Sequence, residues 1–130
     1  RSMRGLFNEL NCLGYAACAA AYRHGEPWRR ELLNVLRQNF AEIIRFTKES
    51  MPLIKVSPLQ ATYLAWLDIR DLKLHHPRTH FERRGVGLND GTEFGVPGFV
   101  RLNFGCPPVR LQEALQRMKI AYDDAVNEGC

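Results

Sequence analysis

Three observations predict an α+β domain. A long apolar stripe recurs at three-to-four spacing, two short segments alternate apolar residues with period two, and a second striped segment opens with a pair of prolines. The first stripe is Trp28, Leu32, Leu36, Phe40, Ile43 and Ile44, the alternating segments lie at 62–69 and 98–104, and the prolines are Pro107 and Pro108. Together they imply a small antiparallel sheet of about three strands, covered by helices before and after it. A chain of 130 residues, 45% hydrophobic and 25% charged, is long enough for a core of its own.

The elements follow in order. Residues 6–22 read as a helix rich in small side chains, with Leu10, Leu13, Gly14, Ala17 and Ala21 on one side, suited to close packing against a large neighbour. Gly25 ends it, and Pro27 suits the first position of the next helix, where its missing N–H would have no partner. That second helix carries the long stripe and stops at Ser50-Met51-Pro52. Residues 53–56 predict a short strand, Ser57-Pro58 a turn, and 62–69 a second strand. In the second strand Tyr63, Ala65 and Leu67 share one face and Leu64 and Trp66 the other, a pattern that fits a sheet covered on both faces. A loop at 71–77 leads to a short helix at 78–84 ended by Gly85. Gly85, Gly87, Gly91, Gly95 and Gly98 then mark a stretch of turns and close backbone approaches. After the last strand, Pro107-Pro108 opens a helix with Leu111, Ala114, Leu115, Met118 and Tyr122 inward.

Composition narrows the function classes. The net charge is +4, but the basic residues are spread along the chain, and the densest patch, Arg78 to Arg84, is interrupted by Glu82 and has no repeated aromatics for stacking bases. Nucleic acid is therefore not the expected partner. No apolar run is long enough to span a bilayer and no secretory leader pattern is present, so no membrane partner and a cytoplasmic location are expected. Cys12, Cys18, Cys106 and Cys130 lack metal-ligand spacing and read as free thiols. His76 and His80 stand four apart, but a zinc site needs further ligands, so no metal is expected and His75, His76 and His80 are expected to face solvent.

Arg101 breaks the strand pattern. In Gly98-Phe99-Val100-Arg101-Leu102-Asn103-Phe104, Val100, Leu102 and Phe104 point one way while Phe99, Arg101 and Asn103 point the other. A cation inside such a strand reaches a wet edge, pairs with an acid of its own chain such as Asp68, Asp90 or Glu93, or waits for an anionic ligand.

The residues also carry a resemblance. Tyr63-Leu64-Ala65-Trp66-Leu67-Asp68, Gly87-Leu88-Asn89-Asp90-Gly91, Phe94-Gly95, the Arg101 strand and the earlier stretch from Ala19 to Trp28 together resemble the carboxyl-terminal part of pyridoxal-phosphate (PLP) enzymes of the class I and II aminotransferase fold. Within that fold they are most similar to the cystathionine β-lyase branch, the C–S lyases of the MalY/PatB type. The resemblance implies a fragment of a larger enzyme: connecting helices over 1–50 and a small carboxyl-terminal domain over 51–130, with the large domain, a homodimeric partner and an amino-acid thioether substrate as partners. It implies that Arg101 holds the substrate α-carboxylate and that Tyr63, Asn89, Asp90 and Phe94 shape the pocket, while local turn bonds and packing are the plainer roles for those four. No Ser-x-x-Lys segment that would carry the PLP lysine is present, and Lys48, Lys55, Lys73 and Lys119 are poor substitutes. PLP is thus expected in the parent enzyme and not on this chain alone, which should be inactive. An aminotransferase of the same fold, and a non-catalytic interaction module, remain open beside the lyase.

Overall fold

The computed structural model describes residues 11–128. The elements are α1 (Cys12–His24), α2 (Glu26–Ser50), β1 (Lys55–Val56), β2 (Leu64–Asp68), α3 (Pro77–Glu82), β3 (Asn89–Asp90), β4 (Phe99–Asn103) and α4 (Pro108–Glu128). The fold is α+β. The chain divides into two compact units between Asn34 and Val35, inside α2.

The described residues of the first unit are helical. Asn11 caps α1, its side chain accepting a hydrogen bond from the Gly14 N–H at 2.7 Å, and residues 6–10 of the expected helix lie outside the described residues. Every described apolar side chain of α1 is accessible, Tyr22 and Leu13 most of all. Gly25 joins the helices because a side chain there would meet the Ala21 carbonyl oxygen at 2.5 Å. Pro27 is the second residue of α2, one place later than the sequence suggests; Glu26 leads and holds Arg29 and Arg30.

The second unit holds the sheet, antiparallel throughout, in the order β1-β2-β4-β3. Four strands form where about three were expected. The additional one, β3, is only two residues long, too short for alternation to show in sequence. β2 starts at Leu64, not at 62, because Thr62 takes a left-handed φ of 72° and turns the chain. One face of the sheet, with Ala65, Leu67, Val100 and Leu102, is fully buried in a core shared with Ile43 and Phe46 of α2, Phe81 of α3, and Leu111, Leu115 and Met118 of α4. Each such side chain contributes about 1.5–3 kcal/mol on leaving water.

The opposite face does not match the expectation of a sheet covered on both sides. Leu64, Trp66, Asp68, Phe99 and Arg101 are only half-buried there, and Asn103 is exposed. Two polar side chains sit within the apolar stripe of α2. Asn39 is 2% exposed and donates from Nδ2 to the carbonyl oxygens of Phe104 (3.0 Å) and Cys106 (2.9 Å), tying the helix to the end of β4. Thr47, also buried, turns its hydroxyl back onto the Ile43 carbonyl. Trp28 and Ile44, placed on the inner side by spacing, are exposed. Among the described residues no helix is long and apolar enough to cross a membrane.

Candidate functional site

The half-buried sheet face carries a cluster that combines a charge without an ion-pair partner among the described residues with aromatic walls. Antiparallel register sets Trp66 of β2, Arg101 of β4 and Asn89 of β3 side by side across three strands. The Arg101 Nη2 donates to Asn89 Oδ1 at 3.1 Å. Phe94 lies over the guanidinium, with Cζ 4.3 Å from the ring centroid, and meets Trp66 edge to face at 5.5 Å and 86°.

Among the described residues no carboxylate lies within ion-pairing distance of Arg101, because its three sequence candidates are engaged elsewhere. Asp68 grips Arg70 through both oxygens, at 2.9 and 2.7 Å. Arg70 holds the Asp68 carboxyl below its usual range, chiefly through that hydrogen bond. Asp90 caps the turn Gly91–Phe94, its Oδ1 accepting from the Thr92 N–H at 2.8 Å, and hydrogen bonds from Thr92 lower its pKa. Glu93 faces Arg78 at 3.5 Å. The Arg101 Nε is buried with no partner, a donor whose desolvation is uncompensated. Such an arrangement suits a planar anion, since two parallel N–H bonds match a carboxylate and fix its orientation.

The sequence candidates thus separate. Arg101, Asn89 and Phe94 are in contact, and Asp90 serves them indirectly by capping the turn that carries Phe94. Tyr63 lies outside this group. Its ring packs over Gly105, 3.2 Å from where a Cβ would stand, and its carbonyl accepts from the Phe104 N–H at 3.0 Å. Trp66 is the member that sequence reasoning left as packing; its pairing opposite Arg101 was available only from the register.

His80, expected to face solvent, is half-buried, and its Nε2 is 2.7 Å from the Ala121 carbonyl oxygen, to which the ring donates. It borders an open cleft of about 580 Å³ lined by Leu72, Lys73, His75, His76 and Arg83 among others. The lysines offer no cofactor attachment beside Arg101: Lys55 pairs with Asp71 at 2.8 Å, Lys119 pairs with Asp123 on α4, Lys48 is exposed on α2, and Lys73 follows the turn Arg70–Leu72. Cys106 is half-buried, and burial pushes its thiol up, away from the nucleophilic thiolate.

No family model matches the chain. It is 35% identical over 117 residues to the cystathionine β-lyase PatB of Bacillus subtilis (strain 168), covering 86% of this chain and 30% of PatB. It is 34% identical over 108 residues to the protein MalY of Escherichia coli (strain K12), covering 79% of this chain and 28% of MalY. Among solved structures, a PLP-bound putative aminotransferase from Clostridium difficile 630 superposes with a TM-score of 0.85 at 34% identity, over 92% of this chain and 32% of that one. Cystalysin from Treponema denticola, a structure that contains PLP, gives 0.85 at 29% identity, over 95% and 32%. The architecture is that of PLP-dependent aminotransferase-fold proteins. Within that class the chain's homologues are the MalY/PatB cystathionine β-lyases, and it spans about 30% of the length of the curated relatives it matches.

Proposed function

We propose that this chain forms the small, carboxyl-terminal domain of a PLP-dependent C–S β-lyase, with Arg101 as receptor for the α-carboxylate of an amino-acid thioether. The observation that carries the reading is a guanidinium on the half-buried sheet face with no carboxylate of the described residues beside it and a buried, unpaired Nε. The parent reaction would split cystathionine, cystine or a related S-substituted cysteine, with water, into pyruvate, ammonia and a sulfur leaving group, a thiol from a thioether and a persulfide from cystine. The described residues of this chain do not fit PLP itself: none of its lysines stands in the Arg101 cluster. On this reading the cofactor is held by the rest of the protein, and the chain alone would lack lyase activity.

The contribution of this chain is orientation. A bidentate clamp on the α-carboxylate fixes the direction of every bond at Cα as well as holding the ligand. Asn89 braces one edge of the clamp, Phe94 its face, and Asp90 the turn beneath Phe94. Tyr63, on the Gly105 side, contributes to the pocket only if the substrate reaches that end of the sheet. The large domain and a second copy of the protein are the proposed partners.

The test uses the full-length, PLP-loaded protein. Pyruvate release from cystathionine is expected, and Arg101→Ala should raise KM about a hundredfold or more, as for loss of one partner of a charge-assisted pair. Arg101→Lys should restore little, because the planar fork is lost. An unchanged KM in both variants would sink the carboxylate role. The solved structure described as a putative aminotransferase favours a second reading, an aminotransferase of the same fold. Amino-group transfer to a 2-oxo acid without pyruvate release would establish it, and neither activity would leave an interaction module.

A further inference from the structure

We infer that Phe94 is a positioning residue, whose ring holds the Arg101 guanidinium in the plane from which it receives a carboxylate. The inference rests on the carboxylate reading of Arg101.

Phe94 is 44% exposed and lies outside the buried core, so core burial does not explain it. Its ring contacts are Trp66 and Arg101. Yet the turn that carries it is fixed at several points. The Asp90 side chain accepts from the Thr92 N–H, and Glu93 faces Arg78. Gly91 is buried at a site where a side chain would strike the carbonyl oxygens of Val96 and Phe99. Gly95 closes the turn in the left-handed region, at φ 75°, with its N–H directed to the carbonyls of Gly91 and Thr92. What this anchoring fixes in space is an aromatic ring over a cation.

The geometry explains the use. An arginine side chain has many rotamers, and a fork that must be frozen at the moment of binding loses affinity to that ordering. Here Asn89 holds Nη2 at the edge and Phe94 covers one face, with Cζ 4.3 Å from the ring centroid. Trp66 meets the ring perpendicularly, at 5.5 Å and 86°, and restrains it. The guanidinium is thereby set before a ligand arrives, and a planar carboxylate meets it edge-on.

Steady-state kinetics of the full-length, PLP-loaded protein test this. Phe94→Ala should raise KM for an amino-acid thioether roughly three- to thirtyfold, the range of a cation–π contact, with a much smaller change in kcat. Phe94→Leu, which keeps bulk but no π face, should behave like alanine, and Phe94→Tyr should retain most of the affinity. A competitive inhibitor bearing the α-carboxylate should weaken by the same factor, and its decarboxylated amine should not. In the 130-residue chain, nitrogen-15 NMR should show the Arg101 Nε–H exchanging faster with water in the alanine and leucine variants, with the melting temperature as the check on folding. Leucine at 94 with wild-type KM, while Arg101→Ala raises KM, would overturn the positioning role and leave the carboxylate reading standing. Wild-type KM in both would remove the two together.

Discussion

Replacing Asn39 by alanine should be among the most damaging single changes in the second unit. Its Nδ2 supplies hydrogen bonds to the Phe104 and Cys106 carbonyls, at 3.0 and 2.9 Å, from a residue that is 2% exposed. Each bond contributes about 0.5–1.5 kcal/mol net; the Phe104 carbonyl keeps a bond from the Cys106 N–H at 2.9 Å, while the Cys106 carbonyl loses its side-chain donor, at a cost of about 1–3 kcal/mol. Asn39→Ala should therefore cost about 2–4 kcal/mol. For a domain of this size that lowers Tm by roughly 6–20 °C, read by circular dichroism. Asn39→Asp keeps the shape but, when ionised, turns an acceptor towards two carbonyl oxygens, and should be worse than alanine at neutral pH. Burial and those carbonyls raise the introduced carboxyl's pKa in the folded state. The deficit is then full above that raised value and shrinks as pH falls towards the unfolded value of about 3.9. An alanine variant within about 2 °C of wild type, or an aspartate variant indifferent to pH, would refute the reasoning.

Three further outcomes follow from particular sites. Gly91→Ala should lose more than about 2 kcal/mol in urea titration, because the added Cβ meets backbone carbonyls that cannot swing away. Gly95→Ala, at a position open to solvent but with φ 75°, should cost only about 1 kcal/mol. With iodoacetamide on the native chain, peptide mass spectrometry should find Cys12 and Cys18 modified well before Cys106, whose thiol burial pushes up. Urea should level the three.

Where local pattern controls structure, the sequence was readable. Val100, Leu102 and Phe104 face the core because parity leaves no other arrangement for that strand, and Leu111, Leu115, Met118 and Tyr122 do so by helical spacing. Arg101 stood out since a cation contradicted the strand it interrupts. What escaped depends on partners distant in the chain. Asn39 looks like a polar interruption of α2 until the Phe104 and Cys106 carbonyls are beside it. The same holds for β3, which exists only through pairing with β4, and for His80, whose partner lies on α4. Tyr63 enters the pocket only through the resemblance, and the strand expected from residue 62 begins two residues later, at Leu64, after the turn at Thr62.

The strand order has a consequence for synthesis. β2 and β4 are adjacent in the sheet, yet Leu64 pairs with Asn103 and Asp68 with Phe99, so the pairing closes a loop of some thirty to forty positions. Contacts that span such a distance form late, after the entropy of closing the loop has been lost. A growing chain exposes β2 as an unpaired edge, with Trp66 and Leu67 uncovered, until the ribosome has released β4. During that interval the same strand is open to any other chain with a free edge.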